Sequence, residues 1–411
     1  MRLGLDRVHA LLAATGEPHR AVPVFHVAGT NGKGSTCATL DALLRARGRL
    51  VGRYTSPHLV DFRERILVDG RPVTEDDVLA WLDDHAALID RTGATFFEAT
   101  TVMAFDLLAR AGVDVAVIEV GLGGRLDATN VVDPLVAGIT GIGWDHMEFL
   151  GTSLSSIAAE KAGIAKPGRP VVIGEPDPAI AAVLAAHAEA RGAAPVVATR
   201  SAWTVRDVRV EGDATHFTAG PAGGAVRAWR TPLLGAHQAT NAVTALAMLE
   251  AAGPAWALPP EEAQAALDTV RLAGRFQRVG PWLFDVAHNA EGAATVVRSL
   301  ASARSGAGPV GAVICVLRDK DWPTMLATLL PQLDRCWLTE APTAPPGRRW
   351  DLAEAARTAQ RVAGRATVVA EPSLERALAA AQGSCATVLV TGSFHTVGDA
   401  MAVLGIDPLG G

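Results

Sequence analysis

The sequence predicts an α/β protein with two domains, the first built on a parallel sheet with a small antiparallel patch. Strand-like and helix-like segments alternate along most of the 411 residues, as in sheets covered by helices on both faces. A second alternating series starts at WLFDVAHNA. Between the two series, residues 271–281 contain two glycines and a proline, which mark a linker. We therefore expect domains at residues 1–272 and 281–411, with ligands in the cleft between them.

Short apolar runs predict the buried strands of both domains. In the first domain these runs are LVGRY, VAVIEV, VAGIT and PVVI, with helical patterns at residues 101–111 and 153–165. Residues 202–230 differ, because TVRDVRV, THFTA and AVRAWR are typical of antiparallel strands. In the second domain VGAVICV, RCWLTE, ATVVA and ATVLVTG each precede a helical pattern, so a second α/β sheet is expected.

Composition narrows the class of protein. Hydrophobic residues make up 49% of the chain and charged residues 19%, which is ordinary for a globular protein with a large core. The net charge of −6 gives no electrostatic reason to expect nucleic acid as a partner. No apolar run reaches membrane-spanning length, and the first residues make a poor signal peptide, so a cytoplasmic protein is expected. The four cysteines form no C-x-x-C pair, which argues against a zinc knuckle or a disulfide framework.

The turn GTNGKGS has the features of a phosphate-binding loop. It follows the apolar run at residues 22–28 and precedes a helical pattern. Glycines allow successive N–H groups to point at one anion, the helix adds its positive end, and Lys33 adds a full charge. The spacing departs from the common G-x-x-x-x-G-K-[ST] template, and the alternative is a tight turn with a solvated lysine. Strand, turn, lysine and helix together favour phosphate binding.

Glu119 ends the predicted strand VAVIEV. Doubly wound sheets place ligands at the carboxyl ends of their strands, and beside a nucleotide this carboxylate suits Mg²⁺. The alternative is a structural contact with Arg125 or Asp127. Two further loops follow predicted strands: YTSPHL carries Ser56 and His58, and GIGWDHMEFLG carries Asp145 and His146, all expected at the same sheet edge.

Lys161 lies on the apolar face of the predicted helix SSIAAEKAGIAKPG, which Ser153 caps. A lysine there either extends to water or sits in a pocket of low dielectric constant. Burial lowers a lysine pKa and makes the neutral amine available. The alternative is an ion pair with Glu160, which points in another direction on the helix.

The second domain supplies its own polar cluster. Asp285 and His288 stand at the end of a predicted strand in FDVAHNA, and AGRFQRV and VTGSFHTVG lie nearby in the expected cleft. HQATNAV places Asn241 near the start of a helix. Two polar clusters facing one cleft suggest two substrates that meet there.

Together these residues resemble the dihydrofolate synthase/folylpolyglutamate synthase family of the Mur ligase superfamily. The match covers nearly the whole chain and follows the family's order through LGLDRV, GTNGKGS, TSPHL, TFFE, EVGLGGRLDATN, DH, EKAGI, GRFQ, DVAHN, LRDKD and GSFHTV. The family usually carries a further helical segment before MRLGLDRV and a proline where Ala290 stands.

The resemblance implies a P-loop ATPase-like first domain and a Rossmann-like second domain. It also implies a monomer that uses ATP and Mg²⁺ to ligate L-glutamate to dihydropteroate, and to the γ-carboxyl group of reduced folates, through an acyl phosphate. The residues that the resemblance assigns to ATP are Asn31, Gly32, Lys33, Gly34, Ser35, Asn241, Arg275 and Asp285.

The resemblance also assigns metal and substrate residues. Ser56, Glu119 and His146 resemble the Mg²⁺ ligands, and Lys161 resembles a carbamylated lysine that binds a second Mg²⁺. His288 and Ser393 resemble residues on the glutamate side. The residues expected to act in catalysis are Lys33, Lys161, Asp285 and His288. The pterin side is matched by Thr95, Phe96, Phe97, Glu98, Arg125 and Leu126.

Two other functions compete with this one. A Mur ligase that acts on a UDP-linked precursor generally has a separate domain before the phosphate loop, whereas only 28 residues precede Gly29. A nucleotide-dependent switch without synthetic chemistry does not need the second polar cluster at Asp285, His288 and Ser393.

Overall fold

The first domain is organised around an eight-stranded sheet. A computed structural model of the chain describes residues 4–144, 146–302 and 308–409. The strand order is β4-β3-β2-β5-β1-β6-β7-β8; β2, β5, β1, β6, β7 and β8 pair in parallel, and β3 and β4 add an antiparallel edge. The strands are β1 (Val24–Ala28), β2 (Val51–Tyr54), β3 (Ile66–Val68), β4 (Arg71–Pro72), β5 (Val115–Glu119), β6 (Val136–Ile139), β7 (Val171–Ile173) and β8 (Val196–Ala198).

Helices cover both faces of this sheet, as the alternating pattern predicts. Along β1, Phe25 and Val27 join the core beneath α2 and α9, whereas Val24 and Ala28 belong to cores on the other face. The helices are α1 (Asp6–Ala14), α2 (Lys33–Ala46), α3 (Glu75–Thr92), α4 (Phe96–Arg110), α5 (Met147–Leu150), α6 (Leu154–Lys161), α7 (Pro178–Ala190), α8 (Thr199–Ala202), α9 (His237–Ala251) and α10 (Pro260–Asp268).

A three-stranded antiparallel sheet fills the region predicted to differ. Its strands are β9 (Trp203–Glu211), β10 (Ala214–Pro221) and β11 (Arg227–Thr231), with β10 in the middle. Trp203, Phe217 and Trp229 turn into the core shared with α9. The patch is therefore part of the first domain's packing.

The second domain has a six-stranded sheet in the order β12-β13-β17-β14-β15-β16, parallel except for β12. Strand β12 comes from the stretch left between the two expected domains. The strands are β12 (Gln277–Val279), β13 (Trp282–Asp285), β14 (Val310–Ile314), β15 (Arg335–Leu338), β16 (Thr367–Ala370) and β17 (Thr387–Thr391). The helices are α11 (Ala290–Ser302), α12 (Trp322–Leu329), α13 (Leu352–Val362), α14 (Leu374–Gln382) and α15 (Phe394–Val403).

The expected α/β class, with a mostly parallel sheet in each domain and a small antiparallel patch, is confirmed, and the differences lie at element boundaries. The first strand begins at Val24, just after Pro23, which has no N–H to donate to a ladder. Helix α4 begins five residues before the predicted 101–111 because Thr95 and Glu98 form a capping box. Ser153 caps α6 as predicted, but the α-helix ends at Lys161 and continues as a 3₁₀ turn, Ala162–Ile164.

The loop after β2 connects the two domains. Leu59 packs against the core that holds Phe284 and Met401 of the second domain. Gly398 of α15 lies so close to the carbonyl oxygen of Leu59 that a β-carbon there would overlap it. Gly274, in the linker, also lies against the Leu59 side chain. The loop that carries Ser56 is therefore fixed to the second domain a few residues further on.

Candidate active site

The phosphate loop is shaped by two glycines that accept no side chain. Gly29 has φ +150° and faces the Thr140 hydroxyl, and Gly32 has φ +94° and faces the side-chain oxygen of Asn241. A β-carbon at either position would overlap these oxygens, and both φ values suit glycine. Helix α2 then begins at Lys33, so its N-terminal N–H groups face the loop.

Two lysines meet at one carbonyl of this loop. The Lys33 ammonium donates to the carbonyl oxygens of Gly29 at 3.0 Å and Thr30 at 3.2 Å. The Lys161 Nζ, on α6, donates to the same Gly29 oxygen at 2.8 Å. Lys161 is only 5% exposed, so of the two alternatives that the sequence left open the side chain is buried and does not extend to water.

Close backbone packing sets the position of Lys161. A β-carbon on Gly124 would lie 2.9 Å from the Lys161 carbonyl oxygen, and one on Gly163 would overlap Arg125. The Arg125 guanidinium donates twice to the Glu160 carboxylate, at 3.0 and 2.9 Å. Glu160 therefore ties α6 to the loop after β5, and Arg125, assigned by resemblance to the pterin side, has its guanidinium engaged in this contact.

Glu119 ends β5 at the predicted edge and is 3% exposed. Its Oε2 accepts the N–H of Ser56 at 3.2 Å, so two of the expected metal residues lie together. Burial raises the pKa of Glu119, and the positive charges of Lys33, Arg275 and Arg53 oppose that rise.

Arg125 and Asp127, the alternative contacts considered for Glu119, each have other partners. Arg125 pairs with Glu160, and the buried Asp127 accepts from Leu122 N–H at 2.8 Å and from Thr129 N–H at 3.0 Å. The Glu119 carboxylate is thus a buried anion in a cationic setting, rather than a partner in either of those contacts.

The residues present fit a magnesium ion that takes few protein ligands. Within residues 4–144, 146–302 and 308–409, no three His, Cys, Asp or Glu side chains gather as a metal cluster. Mg²⁺ commonly binds one or two carboxylates and completes its shell with water and phosphate oxygens, so Glu119 with the Ser56 hydroxyl suits it. His146 precedes α5 in a left-handed conformation with φ +48°, and its neighbour Asp145 lies outside the described residues.

Arg275 and His288 both lie against Phe394, and Asp285 ends the neighbouring strand β13. The Arg275 guanidinium lies 5.1 Å from the ring centre of Phe394, and the His288 ring lies 5.9 Å from it. The Asp285 carboxylate accepts the N–H groups of Phe276 at 2.9 Å and Ala287 at 2.8 Å. Burial raises the Asp285 pKa to about 6 although Arg275 opposes the shift.

Two expected ligand residues have structural partners. The Asn241 amide donates to Gln238 at 2.9 Å, and its oxygen faces Gly32 of the phosphate loop. The Ser393 hydroxyl caps α15 by accepting the Thr396 N–H at 3.0 Å. Both side chains are therefore engaged in contacts that hold the backbone around the site.

The comparisons with known proteins agree with this arrangement. A model of the Mur ligase middle domain matches residues 27–249, and a model of the Mur ligase glutamate ligase domain matches residues 274–394. A dihydrofolate synthase/folylpolyglutamate synthase of Mycobacterium tuberculosis is 37% identical over 98% of this chain and 90% of its own length. One of Escherichia coli is 36% identical over 100% of this chain and 93% of its own.

This chain belongs to the dihydrofolate synthase/folylpolyglutamate synthase family. Solved structures of the family superpose closely on it. A Mycobacterium tuberculosis folylpolyglutamate synthase complexed with ADP and AMPPCP gives a TM-score of 0.89 at 35% identity, covering 99% of this chain and 96% of that one. An Escherichia coli relative in complex with DHPP and ADP gives 0.87 at 35% identity, covering 98% and 94%.

The six residues expected on the pterin side do not form one surface in this family member. Phe97 points inward, against Gly121 and 6.3 Å from the ring of Tyr54. Phe96 is 62% exposed and, with Thr95, lines a cavity of about 500 Å³ beside α3. Glu98 accepts the Arg7 guanidinium at 2.7 and 2.9 Å, so its charge is engaged. Leu126 adjoins the Arg125 contact in the chain.

Sequence reasoning assigned no role to three further residues near the site. Arg53 of β2 pairs with the buried Asp41 of α2 at 3.2 Å, and its charge reaches Glu119. Glu291 of α11 contacts Asn31 across the domain boundary. Phe394, next to Ser393, links Arg275 and His288. Each depends on a pairing between distant segments, which spacing alone does not reveal.

No helix within the described ranges is both long and apolar enough to cross a lipid bilayer. The four cysteines are free thiols, and Cys37, Cys315 and Cys336 are buried.

Proposed function

We propose that this chain uses ATP to ligate L-glutamate to the carboxyl group of dihydropteroate, and to the γ-carboxyl group of reduced folates. The position of Arg275 carries the proposal. Its guanidinium lies over the ring of Phe394, which the His288 ring also contacts, and its charge acts on both Asp285 and Glu119. The phosphate loop and the polar cluster of the second domain therefore share one cleft, as a reaction of two substrates requires.

The chemistry has two steps. A carboxylate oxygen of the pteroate or folate attacks the γ-phosphorus of ATP, the bond to the β-phosphate oxygen breaks, and ADP leaves an acyl phosphate. The glutamate amine then attacks the acyl carbon, the carbon–oxygen bond breaks, and phosphate departs as the amine loses a proton. The product is an amide.

The phosphate loop supports the first step. Asn31, Gly32, Gly34 and Ser35 place backbone N–H groups and the start of α2 around the phosphates. Lys33 brings a fixed cation to a group whose negative charge must be stabilised during transfer. Asn241, Arg275 and Asp285 complete the proposed nucleotide site.

Magnesium, when bound, neutralises phosphate charge and polarises the transferred group. We assign it to Glu119, Ser56 and His146. The buried carboxylate of Glu119 supplies the hard oxygen ligand that Mg²⁺ prefers.

A second Mg²⁺ would bind a carbamate on Lys161. The neutral amine adds to CO₂, a nitrogen–carbon bond forms, and one proton is released. The Lys161 side chain is buried, and the carbamate has two oxygens that share one negative charge and suit Mg²⁺. Family resemblance and the place of Lys161 beside the phosphate loop support this assignment.

We assign glutamate to the side of His288 and Ser393, and the pteroate to the side of Thr95, Phe96, Phe97, Glu98, Arg125 and Leu126. His288 and Asp285 stand at the end of β13, where the incoming amine would meet the acyl phosphate. The division at 1–272 and 281–411, a monomeric state and a cytoplasmic location complete the proposal.

The decisive experiment measures ADP release from ATP with dihydropteroate, with and without L-glutamate. A ligase of this kind forms dihydrofolate in proportion to ADP only when both substrates are present. ADP release that needs neither substrate would indicate a nucleotide switch. Turnover only with a UDP-linked precursor would indicate the cell-wall ligase reaction.

A further inference from the structure

Glu291 brings a negative charge from the second domain to the mouth of the phosphate loop. It is the second residue of α11. Its Oε2 accepts the side-chain N–H of Asn31, in GTNGKGS, at 3.0 Å. A β-carbon on Gly143 would overlap the same oxygen, so this carboxylate lies between the phosphate loop and the segment after β6.

The two segments that Glu291 touches are joined to each other. The N–H of Thr30 donates to the carbonyl oxygen of Gly141 at 2.8 Å, and the Thr30 hydroxyl donates to that of Gly143 at 3.2 Å. Glu291 therefore contacts one continuous surface of the first domain. On that surface, the Asn31 side chain donates the hydrogen bond to the Glu291 carboxylate.

The charges facing Glu291 make its position unfavourable for a second anion. Glu175, whose carboxylate accepts the Ile142 N–H at 2.6 Å, acts on Glu291 as a like charge. Arg298, on the same helix as Glu291, acts in the opposite sense. Burial and Glu175 raise the pKa of Glu291, and Arg298 and the Asn31 hydrogen bond lower it.

We infer that Glu291 competes with nucleotide phosphate for the Asn31 side of the loop and so sets nucleotide affinity in this chain. The inference rests on the proposed role of Asn31 in holding ATP phosphates. A phosphate and a carboxylate on the same amide nitrogen lie within two hydrogen-bond lengths of each other, where like charges repel. Nucleotide entry therefore displaces Glu291, and with it a contact that holds the two domains together.

The test compares nucleotide binding by the full chain and its variants, with MgADP as the probe in isothermal titration calorimetry. Glu291→Gln keeps an oxygen acceptor for Asn31 and removes the charge, and Glu291→Ala removes both. Glu354→Gln is the matched control, because Glu354 is an exposed acid in the first turn of α13, in the same domain. The Kd for MgADP should fall by about fivefold or more in Glu291→Gln, and remain unchanged in Glu354→Gln.

Steady-state kinetics separate this role from a structural one. Glu291→Gln should lower the KM for ATP and leave the KM for glutamate unchanged. An unchanged or weaker MgADP affinity in Glu291→Gln would overturn the inference. Loss of MgADP binding in Lys33→Ala, with no change in Glu291→Gln, would support the assignment of the nucleotide site and refute only the competition. A wild-type protein that binds no MgADP would overturn the proposed function itself.

Discussion

Lys33 and Lys161 donate to the same oxygen, the Gly29 carbonyl, from two different helices. Their nitrogen atoms therefore lie within two hydrogen-bond lengths of each other. Two cations at such a distance repel by about 3 kcal/mol at an effective dielectric constant of about 20. A carbamate on Lys161 would reverse the sign of that interaction, and its remaining N–H could still donate to Gly29.

The first prediction concerns this modification. Lys161→Ala should lose most activity and keep its fold, while Lys161→Glu should recover part of the activity because it restores a carboxylate. The measurement is the electron density at Lys161 in crystals grown near neutral pH with bicarbonate, together with the ¹³C resonance of protein exposed to ¹³CO₂. An unmodified ammonium in enzyme that is active under the same conditions would refute the carbamate.

Lys33 should be needed for turnover. Lys33→Ala removes the fixed cation from the transferred phosphate, and kcat should fall by about 10²–10³. Lys33→Arg keeps the charge and serves as the comparison. Circular dichroism checks that the strand–loop–helix unit still folds. Retention of wild-type kcat in a folded Lys33→Ala protein would remove this residue from the mechanism.

Glu119→Gln should shift the Mg²⁺ dependence. The variant has nearly the same shape and can still accept the Ser56 N–H, but it lacks the anion. The Mg²⁺ concentration for half-maximal activity should rise by about tenfold or more. Glu160→Gln, which alters the carboxylate of α6 that is bound to Arg125, is the control. A normal Mg²⁺ titration in Glu119→Gln would show that the metal site is assigned wrongly.

His288→Ala should impair glutamate use more than ATP binding. His288 stands beside Phe394 just after the last strand residue of β13, and we propose that it lies on the glutamate side of the cleft. The KM for glutamate should rise by about tenfold with little change for ATP, as expected when a contact to one substrate is lost. His187→Ala, on the exposed face of α7, provides a control. Equal glutamate kinetics in wild type and His288→Ala would count against the assignment.

Asp285 should make stability depend on pH. Its pKa is about 6 in the folded chain against an ordinary 3.8, so the folded state binds the proton more tightly. That stabilisation is present below about pH 4 and is lost as the pH rises through about 6. Across this window the wild type should lose up to about 3 kcal/mol of unfolding free energy relative to Asp285→Asn.

Urea unfolding of the ligand-free proteins at several pH values measures this difference. The variant also loses an acceptor for Phe276 or Ala287, but that cost does not vary with pH. A constant offset between the two proteins from pH 4 to pH 7 would mean that Asp285 ionises normally.

The sequence predicted the parts of the site that depend on neighbours in the chain. GTNGKGS follows β1 and starts α2, and Glu119 ends β5, because strand, turn and helix signals are local. The roles that it assigned to ligand-binding residues stay predictions. Arg125 illustrates the limit: it was placed on the pterin side by resemblance, yet its guanidinium bonds Glu160, 35 residues away in sequence. Neither its spacing nor its residue type indicates that partner.

Contacts between the domains could not be predicted from the sequence for the same physical reason. Glu291 meets Asn31 across 260 residues of chain, and the meeting depends on how two finished domains pack. The start of helix α4 was also missed, although its signal is local. Its capping box was present in the sequence as Thr95 and Glu98, but these residues were interpreted only as ligand contacts.

The position of Leu59 affects how the two domains can move relative to each other. Leu59 touches the covalent linker at Gly274 and the helix α15 at Gly398, so this loop is one of the places where the two domains are held together and can serve as a pivot. When one body turns against another, atoms near the pivot move least and distant atoms sweep the largest arcs. Ser56 is three residues, at most roughly 11 Å, from this pivot. During such a rotation, a metal held by Ser56 would therefore stay nearly fixed relative to both domains. Residues on the outer walls of the cleft would move further.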